Sequence, residues 1–276
     1  MLKMWVLPIL FVFITSIPLS IAGFFISSRR MGFYVDAISH SAMSLFTMLT
    51  FLWFAWIQGG LEWGIWFAIL GAGLAGALMS FRLFHDFNNK EPWMGEIFVL
   101  TLSLAALFMS KMPLRGIDFE GLFLGQLLLL TPLDFQISVV ICAVLAFSYV
   151  VWGSRWHLFF LDRYLFRQYY GSRSLGIFWL FFLISILIAF LVQSVGFILS
   201  FAWLIFPCRF VHQRIASIWG TLIVSILLIN GMAWVGFGVS YIVDIPVGPT
   251  CAILWVILEV GVNVFPKPDF SKLLKT

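Results

Sequence analysis

Two side chains able to hold a divalent metal stand four residues apart in the string RRMGFYVDAISHS: Asp36 and His40. On a helix, positions i and i+4 share one face. A carboxylate oxygen and an imidazole nitrogen would then open in the same direction, a ligand set that suits zinc and, with more oxygen donors, manganese. The same spacing also serves a plain packing contact in which the two groups pair with each other. On spacing alone these readings stand even. Two ligands do not complete a zinc shell, which takes about four, so the rest would come from elsewhere in the bundle or from water.

Other ionisable groups are weaker candidates. Glu96 and Asp244 are the secondary metal candidates. Glu96 lies one turn beyond Glu91 in EPWMGE, and a packing role is the leading reading for it. Glu91 precedes Pro92 and reads as a helix-start carboxylate favoured by the N-terminal dipole. Asp244 falls in DIPVGP, first a rigid connector and second the mouth of a pathway. His212, between Arg209 and Arg214, reads as part of a contact surface, and His85 and His157 read as interfacial loop residues. Cys142, Cys208 and Cys251 are odd in number, far apart and without a CxxC pair, so helix packing is expected of each rather than a disulfide or thiolate site. No HExxH, GxSG, GxGD or GxxxxGK[ST] string occurs, so protease chemistry and nucleotide binding have no motif to carry them.

The setting for these groups is read from composition. Of 276 residues, 62% are hydrophobic and 10% charged, with mean hydropathy +1.07, whereas soluble domains carry about 25% charged residues. Such a chain is solvated by lipid, where only helices and closed barrels satisfy their own backbone. Its apolar runs are long and continuous, which favours helices. The net charge of +4 is spread singly through loops, which fits a positive-inside bias and not a nucleic-acid surface. Trp5, Trp56, Trp63 and Trp152 fall where apolar runs end, as interfacial anchors do.

Division at charged and Gly/Pro-containing breaks, allowing about 20 residues per crossing, predicts helices over residues 4–27, 32–57, 62–83, 93–110, 134–153, 175–193, 197–208, 216–238 and 249–265. This is an all-α polytopic membrane protein with about 8–9 transmembrane helices. The first run lacks a small-residue cleavage site and reads as a retained span rather than a signal peptide. Residues 119–130 are too short to span and read as a membrane-dipping or surface helix. The run from Leu175 to Phe206 would be about 48 Å long as one helix, against about 30 Å of hydrocarbon. Gln193, Ser194 and Gly196 are its polar, flexible point, so a turn is expected there, followed by a short returning half-helix up to Pro207. With that turn, the basic stretches around Arg29, Arg82–Lys90, Arg155–Arg173, Arg209–Arg214 and the Lys267–Lys275 tail fall on one side. The positive-inside rule then puts the N-terminus outside and the C-terminus in the cytoplasm. One membrane domain, 1–276, with its core over about 4–265 and a tail at 266–276, accounts for the chain.

Several strings resemble, in order, the integral membrane subunits of bacterial ABC-type zinc/manganese/iron-chelate importers, in the branch for free zinc and manganese. They are RRMGFYVDAISHS, GQLLLLTPLDF, SVGFILSFAWLIFP and DIPVGPT. The resemblance implies a type II importer-like permease in the inner membrane, with no resident cofactor and no chemistry of its own. It implies a second permease copy as a homodimer, cytoplasmic ATP-binding subunits that hold the ATP, and an extracytoplasmic metal-binding protein that delivers zinc or manganese. It places Asp36 and His40 on the family's intramembrane polar pair, and Pro207, Arg209, His212 and Arg214 in the region that couples to the ATPase. The chain departs from the family pattern at Cys208–His212, at Glu91 and in LDRYLFRQYYG, differences that bear on ATPase docking and metal preference. The alternative is an ion-coupled carrier or channel that uses the same residues without an ATPase.

Overall fold

The computed structural model describes residues 2–28, 32, 34–41, 44, 48, 71, 73, 74, 76, 78, 90–111, 127, 130–171, 175–215 and 217–264. Regular structure among them is helical throughout. The helices are α1 (Leu2–Ser28), α2 (Lys90–Lys111), α3 (Pro132–Leu161), α4 (Arg163–Tyr170), α5 (Leu175–Val195), α6 (Phe197–His212), α7 (Ile218–Val243) and α8 (Val247–Val264). Residues 34–41 are also helical. Among the described residues, α1, α3, α5 and α7 are long and apolar enough to cross a membrane, while α6 and α8 are shorter apolar helices. The expected spans at 32–57 and 62–83 lie largely outside the described residues, as do the expected surface helix at 119–130 and the tail.

Boundaries follow local chemistry. Thr131 and Asp134 form a reciprocal capping box with Pro132 at the start of α3: the Thr131 amide donates to Asp134 Oδ2 at 2.9 Å, and the Asp134 amide donates to Thr131 Oγ1 at 3.2 Å. That pairing satisfies two helix-end donors at once, and it assigns a structural job to the TPLD portion of the string. The expected span 134–153 runs on to Leu161 because its apolar sequence continues through Trp156 and Phe160, both buried. What the sequence suggested as a loop over 155–173 is therefore the end of α3 followed by α4, capped by Asp162 accepting from the Tyr164 and Leu165 amides. Ser217 caps α7 in the same manner.

Gly196 separates α5 from α6 at φ 87°, ψ 161°, a region open essentially to glycine alone. The contacts establish that the chain reverses there. Phe181 on α5 meets Phe160, which meets Phe25, while His212 at the far end of α6 meets Phe24. Both outer ends of the α5–α6 pair thus lie beside the same end of α1. By the helical rise of about 1.5 Å per residue, α6 reaches back about 22 Å. The expected turn and returning half-helix are present, with α6 extending four residues beyond its expected end because Pro207 sits within it.

α1 packs along α3, α6 and α7, and α6 touches α1, α5, α7 and α8, so α1 and α6 are the centre of the bundle. Their approach is close enough that a Cβ on Gly23 would lie 2.5 Å from the Leu204 carbonyl oxygen and 3.1 Å from Cys208 Sγ. Small residues permit such contacts where apolar lipid offers no hydrophobic drive for association. Three tryptophans, Trp156, Trp203 and Trp255, are fully buried, whereas the sequence suggested tryptophans chiefly as anchors. Cys208 and Cys251 are buried as expected, and Cys142 is half-exposed.

Replacing Gly196 with Ala forces a side chain into this backbone region, at a cost of order 1–3 kcal/mol. Thermal unfolding in detergent is expected to show a lower Tm for Gly196→Ala. Gly231→Ala, where an added methyl meets open space on α7, is expected to leave the Tm equal or raised.

Candidate functional site

Asp36 and His40 lie within the helical segment 34–41, one turn apart, on the expected common element. Tyr34 fixes that segment against α5: its hydroxyl donates to the Phe181 carbonyl at 3.1 Å and lies 3.0 Å from Ser185 Oγ. Gly32 rests against Ile205 on α6. Further along, the His40 ring packs edge-on to Phe98 of α2 at 4.7 Å and against Phe197, the first residue of α6, at 4.8 Å between centroids. His40 is 6% exposed and Asp36 is half-buried. The segment therefore runs from the basic end of the bundle toward the tip of the α5–α6 hairpin, and its imidazole meets that tip.

Asp36 and His40 form no hydrogen bond or ion pair with each other, and His40 Nδ1 is buried with no partner among the described residues. The reading in which the two merely satisfy one another is thereby removed. A half-buried carboxylate and a buried imidazole on one helical face without mutual pairing lose solvation that nothing between them repays. Among the described residues no three His, Cys, Asp or Glu side chains gather as a ready metal cluster.

The secondary candidates lie elsewhere. Glu96 is exposed on α2. Asp244 caps the end of α7 at φ 56°, its amide donating to the Ser240 carbonyl, and it is exposed there in the connector role. His157 is not in a loop: it sits on α3 with Nε2 2.8 Å from the Tyr149 hydroxyl and its ring against Phe24 and Phe25. It borders a cavity of about 630 Å³ between α3 and the start of α7, whose lining includes neither Asp36 nor His40.

The four residues expected at the coupling region gather at the end of α6, but two of their side chains are engaged. Arg209 Nε lies 3.2 Å from Glu259 of α8, a pair whose carboxylate is 12% exposed. Arg214 folds back, donating to the Phe210 carbonyl at 2.6 Å with its guanidinium 3.9 Å from the Phe210 ring. His212 is exposed and Pro207 is buried. Pairing of Arg209 with a residue 50 positions away had no local signal, since Glu259 reads in sequence as an isolated charge in an apolar run.

The described helices form an apolar, membrane-type bundle in which α5 and α6 double back at Gly196, and a family match makes the chain a membrane transport component. Residues 1–265 match the ABC 3 transport family, and the chain belongs to that family. A probable metal transport system membrane protein of Thermotoga maritima is 30% identical over 139 residues, a match that spans 50% of this chain and 49% of that one. One from Chlamydia pneumoniae is 24% identical over 248 residues, 87% of this chain and 81% of its own. The solved structure of PsaBC from Streptococcus pneumoniae in complex with Fab superposes with a TM-score of 0.74 at 20% identity, covering 98% of this chain and 94% of the other. That likeness concerns the fold.

The Arg209–Glu259 pair can be tested by charge exchange. Arg209→Glu sets two carboxylates together and is expected to destabilise the detergent-solubilised protein by about 1 kcal/mol, a modest figure because Arg209 is half-exposed. Arg209→Glu combined with Glu259→Arg is expected to recover most of the lost Tm.

Proposed function

We propose that this chain is the permease of an ATP-driven uptake system for a divalent metal, zinc, manganese or iron. The single observation that carries the reading is the Asp36–His40 pair: two ligand-type groups on one helical face inside the membrane, paired neither with each other nor with another described side chain. Family membership and the metal-transport names of the relatives support it. The whole chain acts as one permease domain. ATP is hydrolysed on a separate chain, a second copy of this chain completes the membrane assembly, and an external binding protein hands over the metal. The substrate ion passes Asp36 and His40 as the assembly alternates between outward and inward states, with the rest of its shell drawn from water and other groups of the pathway.

Orientation follows from charge. Arg155, Arg209 and Arg214 lie at the end of the bundle where Phe24, His157 and His212 meet, and the positive-inside rule assigns that end to the cytoplasm. The last turn of α6 and the loop after it, including Pro207, Arg209, His212 and Arg214, would then face the ATPase. Arg209 serves there as a strut to α8, and His212 offers the exposed contact.

Zinc, manganese and iron measured in metal-starved cells with and without the gene test the reading. One metal is expected to fall on deletion and to be restored by the intact gene. Asp36→Asn and His40→Ala are each expected to abolish restoration while the protein remains at normal abundance in the membrane. Normal uptake by both variants would remove the site. Transport by the chain alone in liposomes, without an ATPase, would replace the importer reading with a carrier.

A further inference from the structure

The tip of the α5–α6 hairpin carries more polar atoms than the turn itself requires. Gln193 Oε1 and Ser194 Oγ on the last turn of α5, and Ser39 Oγ and His40 Nδ1 on the segment 34–41, are buried and lack any hydrogen-bond partner among the described residues. Ser39 is 1% exposed, Ser194 5% and His40 6%. In an apolar interior each unsatisfied polar group is costly, and buried orphans of this kind call for a ligand, an ion or water.

The neighbouring serines show that the two hydroxyls had a cheap local alternative. Ser185, Ser200 and Ser41 each donate to the carbonyl four residues earlier at 2.6 Å. Ser39 and Ser194, on the same helical elements as Ser41 and Ser185, do not. The Gln193 amide oxygen has no such option, because it only accepts and the backbone N–H groups of α5 are spent within the helix. An amide oxygen buried without a donor suits a cation or the water bound to one. The two elements that carry these atoms meet at the tip, where Phe197, three residues beyond Ser194, holds its ring against His40.

Resting on the metal-permease reading above, we propose that Gln193, Ser194 and Ser39 extend the Asp36–His40 site as neutral oxygen ligands, and that the site thereby favours an oxygen-seeking divalent cation, manganese over zinc. Zinc is content with about four ligands rich in nitrogen or sulfur. Carboxylate, amide and hydroxyl oxygens with a single imidazole make a harder and larger shell, of the type that suits manganese. Neutral donors also let the ion leave, because they lower its desolvation cost without adding charge that would trap it.

The full-length chain in lipid nanodiscs is titrated with manganese, followed by the paramagnetic resonance of the free ion, and with zinc in competition. The Gln193→Leu, Ser194→Ala double variant is expected to weaken manganese binding about tenfold, or 1.4 kcal/mol, and zinc binding less than about twofold. Gln193→Asn, which keeps the amide oxygen, is expected to retain part of the manganese preference. If Asp36→Asn abolishes binding while the double variant binds manganese normally, this inference is overturned and the pair stands. If Asp36→Asn binds both metals normally, the underlying site is wrong. Equal losses for both metals with a lowered Tm would make the tip residues structural, and no manganese binding by the unaltered chain would also overturn the preference.

Discussion

A single apolar run too long for the bilayer must either protrude or turn back, and here it turns back at Gly196. The rest of the architecture depends on that reversal. Because α5 and α6 lie side by side, α6 can occupy the centre of the bundle, covered by α1, α5, α7 and α8, although it is too short to cross alone. Interior irregular backbone survives in a membrane only where protein or a polar pathway surrounds it. The tip meets the first condition: Ser194, Val195 and Gly196 are all buried within the bundle.

The helices that hold this hairpin use different means at different depths. Toward the end of α1, its approach to α6 relies on the absence of a side chain at Gly23. Near the basic end, aromatic rings interlock, with Phe24 and Phe25 meeting His212, His157, Trp156 and Phe160. On the opposite flank, an ion pair ties α6 to α8. Asn230 adds a polar tie between α7 and α1 through Ser16 at 3.0 Å. Dispersion and hydrogen bonding do the work that water would do in a soluble core.

Much of this was legible in the sequence because the constraints involved are local or set by length. Continuous hydropathy located α1, α5 and α7 within a few residues, and the conflict between run length and bilayer thickness located Gly196. The i and i+4 spacing placed Asp36 and His40 on one face, yet whether they satisfied each other could be settled only by three-dimensional contacts. Long-range facts stayed hidden for the same reason. Nothing near Arg209 points to Glu259, nothing near Trp203 says that it is interior, and His157 resembled an interfacial residue because Arg155 beside it suggested the end of a helix. The unsatisfied state of Gln193 and Ser194 was equally invisible, since polar residues at a turn ordinarily find water.

The close contact at Gly23 has a mechanical meaning. Leu204, whose carbonyl faces Gly23 of α1, divides α6 into arms of about 10 and 12 Å, one ending at Phe197 and the other at His212. One helix therefore carries the ring that rests on His40 at one end and the exposed His212 at the other. Pro207 falls within the second arm, where the missing backbone donor makes a helix bend most readily, so the contact with α1 lies on the His40 side of that weak point.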